Sequence, residues 1–181
     1  MGSPKQLLVV GGRPLLELVV ASANASRLDD VLVVLGAASG EIKARVDFGR
    51  AQVVINDNHS SGMASSLRMG LAALPAGVDR ALIILGDQPD VSAALFDKLL
   101  ELQDTSRLPA AALSFNGLLH PPVVLRRELW GDLTALEGDV GCRAVIRARP
   151  ELVAKLVAAE DRNHPIDLDT PDDYARLIAG T

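Results

Sequence analysis

Four polar clusters follow apolar runs in this sequence, and their residue types are those best suited to do chemistry. Ligands of open α/β sheets bind at the carboxyl ends of strands, so a carboxylate directly after a strand can hold a hard cation such as Mg²⁺. Asp87, which follows the apolar run 81–85, is such a carboxylate. The alternative is that Asp87 closes a turn or caps the next helix, because Asp is common in turns. The clusters are residues 56–58, 86–88, 116–122 and 166–171.

Residues 166–171 form the most acidic of these clusters. Apolar and acidic residues alternate there, so Asp167 and Asp169 point to the same side of an extended segment. Asp169 or Thr170 could instead cap a helix that begins near Pro171, where acidic residues are favoured by the helix dipole. That alternative leaves Asp167 unexplained.

The loop at residues 59–67 is rich in Gly and Ser and leads into a predicted helix. Its backbone N–H groups could hold an anion or contact a base edge, although Gly and Ser also produce plain flexible loops. His59, His120 and His164 lack the spacing of metal ligands and are interpreted as polar loop residues. Cys142 is interpreted as an inert buried thiol.

Composition limits the class of protein. The 181 residues suit one domain, 1–181, with an ordinary apolar fraction of 49% and charged fraction of 23%. Lys and Arg number 18 against 23 Asp and Glu, so the net charge of −5 argues against a broad nucleic-acid or membrane surface. The single cysteine excludes an internal disulfide, and no apolar run approaches the roughly 20 residues of a membrane helix. We therefore expect a cytoplasmic protein.

The order of predicted elements indicates an α/β layered fold with a mainly parallel sheet. A hairpin at about 110–125, turning at Asn116-Gly117, predicts an antiparallel addition late in the chain. Neither G-x-x-x-x-G-K-[ST] nor G-x-G-x-x-G occurs. We predict strands at 31–35, 52–55, 81–85, 110–115, 122–125 and 152–158. A first helix is predicted to begin at Pro14, and a second to span 39–46 with Ser39 as its N-cap. Further helices are predicted at 63–74, 92–102, 129–136, 140–147 and 172–179.

Six segments in order closely resemble the molybdenum-cofactor nucleotidyltransferases of the MobA-like NTP transferase family, and the cytidylyltransferase branch best. The resemblance spans nearly the whole chain and implies a three-layer, Rossmann-like nucleotidyltransferase fold with a mainly parallel twisted sheet. Of the two interpretations of Asp87, the resemblance favours the metal ligand over the turn residue. The segments are GSPKQLL at 2–8, GGRPLLE at 11–17, GMASSL at 62–67, LGDQP at 85–89, GDVGCR at 138–143 and DLDTPDD at 167–173.

The resemblance also implies a reaction. Family members move a nucleoside monophosphate from CTP, or from GTP in the guanylyl branch, onto the phosphate of molybdopterin, and pyrophosphate leaves. A molybdoenzyme or its chaperone is a further implied partner. Such a reaction depends on positioning and charge neutralisation, because the attacking phosphate oxygen is already anionic.

The matching motifs also imply roles for individual residues of this sequence. The resemblance implies that Asp87 and Asp169 hold Mg²⁺ and that Lys5 contacts the triphosphate, with Lys5 and Asp87 as the catalytic pair. It places a nucleotide-binding loop at 62–66 and an acceptor-binding group on the molybdopterin side. The loop residues are Gly62, Ser65 and Ser66, and the acceptor residues are His120, Asp139 and Arg143.

Two departures from the family pattern shape our expectations. Family members carry a first strand and a Gly-rich loop, roughly Leu-Ala-Ala-Gly-x-Ser-x-Arg, just before the segment that matches residues 1–8. The given sequence does not show that strand and loop. In addition, Leu119 stands where family members usually have Gly before His-Pro. We expect an open slot or an irregular sheet beside residues 81–85, with few triphosphate contacts. The alternative to a transferase is a catalytically impaired molybdopterin-binding or escort domain.

Overall fold

The computed structural model describes residues 4–157, which form a mixed α/β fold. The strands are β1 Val9–Val10, β2 Arg13–Pro14, β3 Leu32–Leu35, β4 Gln52–Ile55, β5 Arg80–Ile83, β6 Ala110–Phe115, β7 Leu118–Arg126 and β8 Val153–Val157. The helices are α1 Leu15–Ala25, α2 Ser39–Arg45, α3 Met63–Ala72, α4 Ala93–Ser106, α5 Trp130–Thr134 and α6 Arg143–Ala148. The predicted helix 172–179, Asp167 and Asp169 lie outside the described residues.

Strand pairing confirms the α/β class and the antiparallel addition. β3 pairs with β4 in parallel, and a second sheet has the order β5-β7-β6-β8. Within that sheet β6 and β8 are parallel, whereas β7 runs antiparallel to both of its neighbours. The β6–β7 hairpin turns at Asn116 (φ 48°) and Gly117 (φ 76°), the pair of positive φ angles that a two-residue Asn-Gly turn requires.

A slot separates the two sheets, as expected. β3 and β5 line one cavity of about 1120 Å³, and no backbone pairing joins them among residues 4–157. An unbroken apolar run such as 81–85 is typical of a strand buried on both faces. In the structure this strand is shorter, ending at Ile83, and it is half-buried. The physical reason is that one edge of β5 pairs with β7 while the other faces the slot.

Residues 6–10, the spare apolar segment nearest to the slot, do not fill it. Lys5–Leu7 is a 3₁₀ helix, and β1 then turns back into β2 through Gly11 (φ 58°) and Gly12 (φ 83°). Leu7 is buried in a cluster with Leu16 of α1 and Leu35 of β3.

Glu17 of α1 anchors the hairpin. Its carboxylate accepts hydrogen bonds from Arg13 Nε at 2.8 Å and from the Asp47 backbone N–H at 3.0 Å. These two hydrogen bonds, led by that from Arg13, lower the pKa of Glu17. The hairpin is thereby held against the segment that follows α2.

Most predicted helices occur with shifted ends. α4 runs to Ser106, four residues beyond the prediction, and Ser92 caps it by accepting the Leu95 N–H at 3.2 Å. The prediction of Ser39 as N-cap of α2 was wrong. Ser39 is already helical, and the cap position belongs to Ala38 (φ 56°), which offers no side-chain acceptor.

Aliphatic residues build most of the core, since aromatics make up only 3% of the sequence. α4 buries Phe96 and Leu99 completely against the four-stranded sheet, and α1 joins this cluster through Leu15 and Val19. α5 and α6 cover the opposite face with Leu133 and Ile146, among others. No helix in residues 4–157 has the length and apolar character needed to cross a membrane.

Candidate nucleotide and acceptor site

The Gly-Ser loop is held from below by one buried amide. Asn56 directly follows β4 and is 1% exposed. Its Nδ2 donates hydrogen bonds to Ser65 Oγ at 2.8 Å and Ser66 Oγ at 3.1 Å, while its Oδ1 accepts the Asn58 backbone N–H at 3.0 Å. The sequence showed a polar residue after a strand but gave no signal that Asn56 would support the next helix.

Gly62 is required where the loop enters α3. Its φ is 97°, a conformation that L side chains rarely adopt. A Cβ at this position would lie 2.3 Å from the carbonyl carbon and oxygen of Gly138. The Ala64 N–H also donates to that Gly138 oxygen at 3.1 Å.

The predicted nucleotide loop and the predicted acceptor segment are therefore in direct contact. Met63 packs over the backbone of Gly141, since a Cβ added to Gly141 would lie 2.6 Å from the Met63 sulfur. Asp139 follows Gly138 and is exposed, and Arg143 begins α6 beside the buried Cys142. Burial raises the pKa of the Cys142 thiol to about 11, which keeps it protonated and unreactive near neutral pH.

The cavity between β3 and β5 reaches this contact. Ser66, Met63 and Cys142 line it, as do Gly36 at the end of β3 and Gly86 beyond β5. Pro4 and Gln6, the neighbours of Lys5 in the chain, also line it. Residues next to three predicted site positions, Lys5, Asp87 and Arg143, thus share one cavity with the nucleotide loop.

Asp87 lies beyond the carboxyl end of β5, as predicted, and is half-buried. Desolvation raises the pKa of Asp90, three residues further on. Within residues 4–157 there is no group of three or more His, Cys, Asp or Glu side chains that could hold a metal. Mg²⁺ is commonly held by one or two carboxylates together with substrate phosphates, so Asp87 fits as one ligand of such an ion. Its predicted partner Asp169 lies outside the described residues.

Among the predicted site residues that the structure describes, Ser66 is the one that lines the cavity itself. Ser65 is 5% exposed, and its hydroxyl donates to the Gly62 carbonyl at 2.8 Å, so its side chain holds the loop from inside. His120 lies on β7 opposite Leu113. The roles of these residues in binding nucleotide, metal or acceptor stay predictions.

Known proteins resemble this chain along most of its length. Residues 1–156 match the model of the MobA-like NTP transferase domain. The nicotine blue oxidoreductase of Paenarthrobacter nicotinovorans is 33% identical over 97% of this chain and 88% of its own length.

Solved structures give the same result. The Rv0371c homologue from Mycobacterium sp. strain JC1 superposes with a TM-score of 0.87 at 30% identity, covering 99% of this chain and 89% of that one. Rv0371c of Mycobacterium tuberculosis in complex with manganese gives a TM-score of 0.85 at 26% identity, covering 98% of this chain and 92% of that one. The predicted site residues thus lie in a nucleotidyltransferase fold, and the chain belongs to the MobA-like NTP transferase family.

Proposed function

We propose that this nucleotidyltransferase moves CMP from CTP to the phosphate of molybdopterin, with release of pyrophosphate and dependence on Mg²⁺. One observation carries the proposal beyond the family: the nucleotide loop at Gly62 and the acceptor segment at Gly138 share a hydrogen bond, from Ala64 N–H to Gly138 O at 3.1 Å. A reaction between two substrates needs both binding surfaces side by side. CTP is preferred to GTP because the motifs resemble the cytidylyltransferase branch best.

The proposed step is an in-line displacement at the α-phosphorus. An anionic oxygen of the acceptor phosphate forms a bond to that phosphorus, and the bond to the bridging oxygen of pyrophosphate breaks. The oxygen needs no strong general base, so the protein contributes positioning and charge neutralisation. Lys5 is assigned to the triphosphate and Arg143 to the acceptor phosphate, because cations stabilise the charge that develops on phosphate oxygens.

Asp87 is assigned to the metal. When bound, Mg²⁺ would neutralise charge on the phosphates of the nucleotide. The position of Asp87 after β5 and its half-buried carboxylate suit this role, with Asp169 proposed as the second carboxylate. The related Rv0371c structure contains manganese, a divalent cation that favours the same oxygen ligands.

The acceptor side is proposed to contain Asp139, Arg143 and His120. A product of this kind would pass to a molybdoenzyme or its chaperone, and we place the protein in the cytoplasm with those partners.

The name of the nicotine blue relative suggests an oxidoreductase as a second candidate. The sequence has no G-x-G-x-x-G pattern for a dinucleotide.

The test is release of pyrophosphate from CTP or GTP in the presence of Mg²⁺ and molybdopterin. We expect release with CTP to exceed release with GTP and to require all three components. Binding of molybdopterin without pyrophosphate release from either nucleotide would instead identify an escort domain. Consumption of NADH or NADPH without pyrophosphate release would identify an oxidoreductase.

A further inference from the structure

The amide of Asn56 can take only one orientation. One side of the amide faces the backbone N–H of Asn58, which can only donate, so the atom at 3.0 Å from it is the oxygen. The NH₂ group therefore faces the two serines. Both of its hydrogens are used, one on Ser65 Oγ and one on Ser66 Oγ.

The Ser65 hydroxyl follows from that orientation. Its oxygen accepts from Asn56, and its hydrogen goes to the Gly62 carbonyl oxygen at 2.8 Å. A helical serine can donate to the carbonyl three or four residues before it, which for Ser66 are the carbonyls of Met63 and Gly62. The Gly62 oxygen already accepts from the Ser65 hydroxyl and from the Ser65 N–H at 3.1 Å.

The Ser66 hydroxyl has a hydrogen to offer. Its oxygen accepts from Asn56 at 3.1 Å, and among residues 4–157 the structure shows no hydrogen bond donated by this hydroxyl. Ser66 lines the cavity beside Met63 and Cys142. The hydrogen is therefore available to a group bound in the cavity.

We propose that Asn56 is a positioning residue that fixes Ser66 as a hydrogen-bond donor to an acceptor atom of the bound nucleobase. The inference rests on the proposed function, in which the loop at 62–66 contacts the base. It makes the hydrogen of Ser66 a specificity determinant: a carbonyl oxygen or unprotonated ring nitrogen is favoured there, because it can accept this hydrogen.

Asn56→Asp removes this donor with almost no change of shape. The carboxylate still accepts the Asn58 N–H, but it must now receive hydrogens from both serines. Ser66 then offers a lone pair to the cavity in place of its hydrogen. Affinity for the preferred nucleotide should fall, and the ranking among CTP, UTP, GTP and ATP should change, whereas a general structural lesion would weaken all four alike.

The experiment is a double-mutant cycle on nucleotide affinity, measured by calorimetry with Mg²⁺ present. In the wild-type background, Ser66→Ala should weaken binding about three- to tenfold, the range for one net hydrogen bond. In the Asn56→Asp background, the same change should cost less than about twofold, because the donor has already been lost. Ser22→Ala, a helical serine of α1 away from the cavity lining, is the matched control and should bind as wild type.

A second pair of variants leaves position 56 unchanged, in case Asn56→Asp lowers the unfolding midpoint. Ser66→Thr keeps the hydroxyl and should retain wild-type affinity, whereas Ser66→Ala should not. Additive costs in the cycle, or full affinity in Ser66→Ala, would overturn the inference while the proposed function stands. If the wild-type protein binds none of the four nucleotides, the proposed function and this inference fall together.

Discussion

The proposed chemistry depends most on one residue, Asp87, through its carboxylate. Asp87→Asn keeps the size of the side chain but removes its charge, and loss of one electrostatic contact in a transition state costs about 10²–10³ in rate. We expect pyrophosphate release to fall by that factor while the unfolding midpoint stays within the range of surface variants.

The matched control for this prediction is Asp104→Asn on α4. Asp104 forms a surface ion pair with Arg80 at 2.6 Å, and its side chain is 55% exposed, so its loss should change stability by about 1 kcal/mol or less. Near-normal turnover by Asp87→Asn would remove Asp87 from the metal site. Equal losses in both variants would indicate a general effect of charge.

Cys142 leads to a prediction about pH. Its pKa is raised from 9.0 to about 11 by burial, so between these values the unfolded chain has lost the thiol proton while the folded protein retains it. The unfolded state then binds fewer protons, so the stability that is fully present below pH 9 is lost as the pH rises toward 11. Urea unfolding of wild type and Cys142→Ala should show this decline only in the wild type, and parallel pH profiles would contradict it.

Single residues were predictable from sequence where the motif itself carries the chemistry. Asp87 lies after its strand as predicted, and Cys142 is buried. The roles of Asn56 and Ser65 could not be predicted, because they depend on which way one amide points and on a helix lying above a strand end. Residue type reveals a hydrogen-bonding capacity, but packing decides whether that capacity is used internally or on a ligand.

Among the structural elements, the contact between the loop at Gly62 and the segment at Gly138 is the tightest in the candidate site. Gly62→Ala would bring a methyl group to 2.3 Å from the Gly138 carbonyl and force a residue with a side chain into a φ of 97°. We expect the two segments to separate, with a loss of stability of about 1–3 kcal/mol and weaker binding of nucleotide. Chemical denaturation and calorimetry measure the two effects.

Gly131→Ala is the control for that variant. Gly131 lies within α5, where an added Cβ would meet nothing within 4 Å. Alanine there should be neutral or stabilising by up to about 1 kcal/mol, because it restricts the unfolded chain and favours the helix. If Gly62→Ala behaves like Gly131→Ala, the contact does not constrain the site.

Elements with strong local signals were predicted well, and elements that depend on neighbours were not. Asn116-Gly117 specified the β6–β7 turn, and β4 has the predicted bounds, Gln52–Ile55. The run at 81–85 looked like a strand buried on both sides because its residues are all apolar. Its apolar side chains do not reveal that one edge faces a slot, since backbone pairing leaves no mark on composition.

At the scale of the whole molecule, the two sheets are joined by helices rather than by strand pairing. α1 places Leu16 and Val20 in the cluster around β3 and α2, and Leu15 and Val19 in the cluster against α4. α3 contacts β3 at Gly70, where an added Cβ would lie 3.2 Å from Val34, and packs its Leu67 and Leu71 against the cluster under α5 and α6. Because β3 and β5 belong to separate sheets among the described residues, no backbone hydrogen bonds between these two strands hold the sheets together.

This organisation predicts that the β3–β4 part opens before the rest. Local opening proceeds by cooperative units that coincide with supersecondary motifs, and the smaller sheet has two strands against four in the other. Native-state hydrogen exchange should therefore show residues 32–35 and 52–55 exchanging with a lower opening free energy than β6 and β7, whose Ala111 and Val124 are completely buried. A single opening free energy for both parts would contradict the prediction.

A chain extended at its N-terminus by an apolar strand and a Gly-rich loop of the family kind should close the slot. A strand there would pair with the edges of β3 and β5 that face the slot and bury the apolar side chains that line the cavity of about 1120 Å³. The two opening free energies should then merge into one, because every strand from β3 to β8 would belong to a single sheet. The same extension should raise affinity for CTP, since each backbone N–H that bonds a phosphate contributes about 1.5–3 kcal/mol. Calorimetry and hydrogen exchange on the 181-residue and extended forms test both effects. Equal CTP affinities would refute the phosphate-binding role of the loop, whereas two separate opening steps in the extended form would show that the strand does not occupy the slot.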